Sequence, residues 1–214
     1  MNFFNNSPKI MKNNFIKATL ALFLLSSCAG NSFKYSEKPT TIVNGKSKYY
    51  VADVKIKFVE GMLRKAKGEL LAINSPAMKK DFSNYPNEQK ISEIVKQILE
   101  TKLKEKGIYS SDPKDTNAYL ISMKADYERI GLLWSKTAYH SFIMSHDITV
   151  SKEGKEVARS VYSNYKAKRG YFAEFASNAK TLAGAKGPQD EIEDLNIVIA
   201  DTAKELSELG LKVK

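Results

Sequence analysis

The chain is poor in the residues that usually carry chemistry: among 214 residues there is a single cysteine, a single tryptophan and only two histidines. One cysteine excludes an intrachain disulfide and any zinc site built from several thiolates. The histidines, His140 and His146, are six residues apart, roughly 20 Å along an extended strand, and too far apart to ligate one metal ion directly. No glycine-rich phosphate cradle is present, since Gly184 and Gly187 lack the Gly-Lys-Ser/Thr ending that such a loop needs. The main apolar run, Ala18 to Leu25, falls far short of the roughly 20 residues that span a bilayer, so no permanent transmembrane helix is expected.

What is there supports an ordinary folded domain. Hydrophobic residues make up 43% of the chain and charged residues 27%, enough apolar content to bury a core. The net charge is +10, and loss of the first 27 residues, with Lys9, Lys12 and Lys17 and no acid, would leave +7. That sign favours anionic partners, but the basic residues are interleaved with acids and read as a solvated surface with no nucleic-acid partner.

The one cysteine sits in a telling place. Lys12 and Lys17 precede the apolar run Ala18 to Leu25, and small residues then lead to Ser26-Ser27-Cys28, the order of a secretory signal peptide. Met11 is a second candidate start for this signal. Leu25-Ser26-Ser27-Cys28 resembles the lipobox of bacterial lipoproteins, which implies cleavage between Ser27 and Cys28. It also implies covalent diacylglycerol and N-acyl lipid on Cys28; no other cofactor is expected. Two or three acyl chains anchor stably where one would be marginal. Ala29, in place of an aspartate, points to the outer membrane facing the periplasm over the inner membrane.

The chain thus divides into a signal peptide (1–27), a lipidated flexible tether (28–48) and a single periplasmic domain (49–214). Val54, Ile56 and Phe58 alternate with charged residues as in a half-buried strand, and Gly68 to Ile73 offers a second short strand. Ile91, Ile94, Val95, Ile98, Leu99 and Leu103 form a helical stripe opened at Pro86 and stopped at Gly107. Three strands follow, with Tyr119, Ile121, Met123, Ala125 and Tyr127 on one face of the first. His140, Phe142, Met144, His146, Ile148 and Val150 share a face of the second, and Val157, Val161 and Tyr165 a face of the third. Glu153-Gly154 is the hairpin turn between the last two. Residues 168–189 read mostly as loop. A final helix behind Asp190 buries Ile192, Leu195, Ile199, Ala203 and Leu206, and Asp190, Glu191, Glu193 and Asp194 suit the positive end of its dipole. The expected fold is α+β: a mostly antiparallel sheet of four to five strands with two main helices on one face.

Ala125-Asp126-Tyr127, His146-Asp147-Ile148-Thr149-Val150, Glu153-Gly154-Lys155, Ser163-Asn164-Tyr165 and Asn196-x-x-Ile199-x-Asp201-Thr202, set behind a lipobox, resemble the YajG family of small envelope lipoproteins. The overall plan is also similar to LptE-type lipoproteins. The resemblance implies a fold and an envelope address, and no catalytic residues.

Ser145-His146-Asp147 cannot form a relay as strand neighbours, because adjacent side chains point to opposite faces. No enzyme activity is expected; a hydrolase would need a concave site with converging polar groups around His146. Two apolar patches stand out. Ile130 to Trp134 reads first as an extension of the Tyr119 to Tyr127 strand into the core, and otherwise as an exposed partner or lipid contact. Arg169, Tyr171, Phe172 and Phe175, beside Lys166 and Lys168, suit either a partner or lipid contact or a small accessory helix over the sheet. The expectation is a non-catalytic envelope lipoprotein, bound to the membrane through Cys28, whose domain binds an envelope protein or an anionic glycolipid. The alternative is an accessory factor in lipopolysaccharide or outer-membrane assembly.

Overall fold

In the computed structural model, residues 32–36, 47–62, 81–131, 138–165 and 167–209 are described. The expected strand at 68–73, the lipobox, and the Leu132 to Trp134 part of the first apolar patch lie outside them. The elements are β1 (Lys34–Tyr35), β2 (Tyr49–Phe58), α1 (Glu88–Glu105), β3 (Tyr119–Gly131), β4 (Tyr139–Lys152), β5 (Lys155–Tyr165), α2 (Tyr171–Leu182) and α3 (Pro188–Ser207). The fold is α+β, a five-stranded sheet in the order β1-β5-β4-β3-β2 with three helices among the described residues. Its pairings are antiparallel except β2 with β3, which run parallel because α1 makes the crossover between them.

One face of the sheet is apolar, and α1 and α3 bury it. Tyr49, Val51, Val54 and Ile56 of β2 line up beside Tyr119, Ile121, Met123, Ala125 and Tyr127 of β3, and Phe142, Met144, Ile148 and Val150 of β4 continue the layer. A register shift between Val51 and Asp53 lets both Val51 and Val54 point inward, which strict alternation forbids. Ile91, Val95, Ile98, Leu99 and Leu103 of α1 and Leu195, Val198, Ile199, Ala203 and Leu206 of α3 close the core. Each such Leu or Ile removed from water contributes about 1.5–3 kcal/mol.

Local chemistry sets the ends. Asn87 caps α1, its Oδ1 accepting from Lys90 N at 2.9 Å, and Gly107 takes φ 69° just past the helix. α1 also covers the edge of β2: Ser92 Oγ accepts from Ile56 N, and Glu88 Oε1 from Phe58 N. Glu153 and Gly154 have φ 52° and 77°, both positive as a two-residue hairpin turn requires.

Four expectations need correction. Lys34–Tyr35, assigned to the tether, forms β1 and pairs with Ala158 and Arg159, and Phe33 beside it is buried. Residues 171–182, read mostly as loop with a small accessory helix as the other reading, form α2; Ala, Glu, Lys and Leu suit a helix, but its apolar residues do not turn toward the core. In β5 the inward residues are Ala158 and Ser160, while Val161 is 65% exposed, because a register shift near Val150 and Ser151 inverts the alternation. α3 starts at Pro188, and its buried face takes Val198 and Thr202 while Ile192 is only half-buried.

Candidate functional site

The chemistry-bearing side chains gather where β4 begins and β3 and β5 end, under the first turns of α3. Glu191, Asp194, Leu195 and Val198 lie on one helical face, so the apolar stripe of α3 continues toward its N-terminus as carboxylates. Glu191 is fully buried, and its Oε1 accepts from Tyr127 Oη and Arg129 Nε, both at 2.6 Å. Arg129 also donates to Pro86 O and lies over the Phe58 ring at 4.7 Å and the Tyr85 ring at 5.4 Å. Asp194 accepts from Tyr139 Oη at 2.8 Å and Arg169 Nη1 at 2.5 Å.

Burial dominates the proton affinities here. Desolvation raises the pKa of both Glu191 and Asp194, opposed by the arginine and tyrosine hydrogen bonds. It also raises Tyr127 and Tyr139, further helped by the carboxylates beside them. Lys186 is lowered by burial; its Nζ donates to His140 O at 3.0 Å. Asp190 has a different task, accepting from Gly187 N at 2.9 Å and from Lys180 Nζ at 3.1 Å, which ties α3 to α2. The dipole-only reading of this acidic group is therefore corrected for Glu191 and Asp194, which are ion-paired and buried. The legible signal was their place four residues before Leu195 and Val198.

A cleft of about 230 Å³ opens beside this network, lined by His140, Arg169, Glu174, Ser177, Lys186 and Asp194. α2 forms its roof and is oriented against the usual rule. Glu174, Ser177 and buried Thr181 face the domain, while Tyr171, Phe172, Phe175 and Leu182 are 83%, 85%, 70% and 71% exposed. Of the sequence-predicted contact residues, Tyr171 and Phe172 are thus presented outward. Arg169 is not: its side chain is 10% exposed and committed to Asp194.

The histidines separate. His140 is exposed, because the register shift near Ile130 and Gly131 gives the inward place to Tyr139, which corrects its expected position on the core face. His146 is buried; Nε2 lies 3.3 Å from Ser160 Oγ, and desolvation lowers its pKa to about 4. A second cleft, of about 430 Å³, crosses the sheet face away from the helices, along Lys57, Lys124, Asp126, Asp147 and Val161, behind the strand positions of Ile56, Ala125 and His146, whose side chains are buried. Its polar groups do not converge on a relay: Asp147 is held by Arg159 at 2.8 and 2.5 Å, and Ser160 is fully buried.

Ser160 belongs to a third cluster. Its Oγ is 2.5 Å from Ser32 Oγ, and Glu205 Oε2 accepts from the Ser32 hydroxyl and, at 3.1 Å, from Ser32 N. This cluster fixes the start of the described chain to β5 and α3, a link that no sequence pattern announced.

Among the described residues no group of three or more His, Cys, Asp or Glu side chains is placed to hold a metal ion, and no helix is long and apolar enough to cross a membrane. No family model, curated protein or solved structure matches the chain.

Proposed function

We propose that the protein is a non-catalytic bacterial envelope lipoprotein, anchored through lipid on Cys28, whose α+β domain serves as a binding or scaffold module at the membrane. The reading is carried by Leu25-Ser26-Ser27-Cys28 behind a charged and then apolar leader. The polar side chains of the domain fit it too, since the buried acids hold the helices to the sheet and are engaged with arginine, lysine and tyrosine. Ala29 favours the outer membrane.

Mass spectrometry of the mature N-terminus tests the anchor. The expected first residue is a triacylated or diacylated Cys28, and Cys28→Ala should move the protein from the membrane to the soluble fraction. An unmodified peptide beginning at or beyond Cys28 would overturn the reading. The alternative, an accessory role in lipopolysaccharide or outer-membrane assembly, draws on the basic and aromatic segment Lys166 to Phe175, in which Arg169 is paired with Asp194 while Lys168, Tyr171, Phe172 and Phe175 are exposed.

A further inference from the structure

We infer that α2 is a bilayer contact: its exposed aromatic face seats in the lipid interface beside the Cys28 anchor. The inference rests on the lipoprotein reading and adds the surface and the orientation with which the domain meets the membrane.

Two independent observations meet at one end of the molecule. The first is where the chain enters the domain. Ser32 is fixed by Glu205 and Ser160, and only four residue steps separate it from Cys28. Four extended residues span at most about 14 Å, so the expected tether of some 20 residues shortens to a leash that cannot hold the domain far from the head groups. β1 runs antiparallel to β5, so going back from Tyr35 to Ser32 moves along β5 toward its C-terminal end, from which α2 hangs. From Ser160 to the end of β5 at Tyr165 is roughly 17 Å, a distance similar to the reach of the leash.

The second is the distribution of exposed apolar side chains. Of the large hydrophobics exposed among the described residues, Tyr171, Phe172, Phe175 and Leu182 are on α2 and Tyr162 is on the far half of β5, while Val161 points with Lys124 to the other face of the sheet. On α2, Tyr171, Phe172, Phe175 and Leu182 fall within about 100° of the helix circumference, a continuous stripe. The only acid of α2, Glu174, lies on the other side, in the cleft lining, and Lys168 is exposed just before the helix. An aromatic stripe flanked by a cation, without a facing carboxylate, is the composition of an in-plane interfacial helix. A lipid surface is the occupant because the anchor brings one within reach.

The test imposes the anchor chemically, so it does not depend on whether cells lipidate Cys28. The mature chain starting at Cys28 carries Trp134→Phe and Phe172→Trp and is coupled through its one thiol to a maleimide lipid. The vesicles contain phosphatidylethanolamine, phosphatidylglycerol and a phosphatidylcholine brominated along its acyl chains. A companion chain carries the tryptophan at Lys124→Trp, exposed on the opposite face of the sheet. Loss of emission at position 172 with little at 124 is the expected result. Equal quenching at both positions, or none at 172, overturns the inference. So does a concentration-dependent shift of the 172 emission without vesicles, which would assign the stripe to a second copy of the chain. N-terminal mass spectrometry independently reports on the lipoprotein reading, so the two failures are distinguishable.

Discussion

α2 and α3 are neighbours in the chain, and they invert the usual assignment of polar and apolar surface. α3 turns Glu191 and Asp194 into the protein, whereas α2 turns Phe172 and Phe175 out of it. The difference lies in what each helix meets. α3 lies over β3 and β4, where Tyr127, Arg129 and Tyr139 supply donors to its carboxylates, and Arg169, just before α2, adds a fourth, all at 2.5–2.8 Å. α2 has only the cleft beneath it, and its polar edge lines that cleft. Burial thus follows the partners a neighbouring element provides, and residue hydrophobicity alone does not decide it.

A buried ion pair offsets a large desolvation cost and is weak evidence of net stabilisation, but removing one partner leaves an uncompensated charge. Arg129→Ala is therefore expected to have the largest effect, lowering unfolding stability by about 3–5 kcal/mol in a urea titration. A loss below about 1 kcal/mol would mean that water reaches Glu191, and the contrast between the helices would fail.

His146 extends the comparison to a group that is buried but kept neutral. Its pKa falls from the ordinary 6.5 to about 4 on burial, so the unfolded chain takes up the proton first as the pH drops. The stability tied to neutral His146 is complete above pH 6.5 and is lost on acidification toward about 4, amounting to about 3 kcal/mol. His146→Phe should show a shallower fall in denaturant stability over that window; slopes identical to those of the parent chain would place the imidazole in water.

The smallest effect belongs to α2. Phe172→Ser with Phe175→Ser should change unfolding stability by no more than about 0.5 kcal/mol, because neither ring is buried on folding. A loss of several kcal/mol in thermal or urea unfolding would show that the aromatic face is already covered within the protein, and the comparison would collapse.

Much of the frame was legible in the sequence. Tyr119 to Tyr127 and Ile91 to Leu103 have clean two-residue and 3.6-residue periods, because each element buries one face continuously. β5 misled where a register shift reversed its alternation, and His140 was misplaced for the same reason: a bulge depends on the partner strand, which local sequence does not contain. Glu191 and Asp194 occupied the correct positions for the buried face of α3, yet their donors Arg129 and Arg169 lie 62 and 25 residues away.

The sequence by itself determined the local quantities: the stop of α1 at Gly107, the Glu153-Gly154 turn and the apolar stripes of β3 and α1. These follow from backbone preference and periodicity within a few residues. Only the tertiary structure decided that β2 runs parallel to β3, that carboxylates enter the core, that aromatics leave it, and that Ser32 is clasped by Glu205. Each depends on groups brought together across long stretches of chain. The energy of a buried charge or an exposed ring is set by its neighbours in space, and those neighbours exist only once the chain has folded.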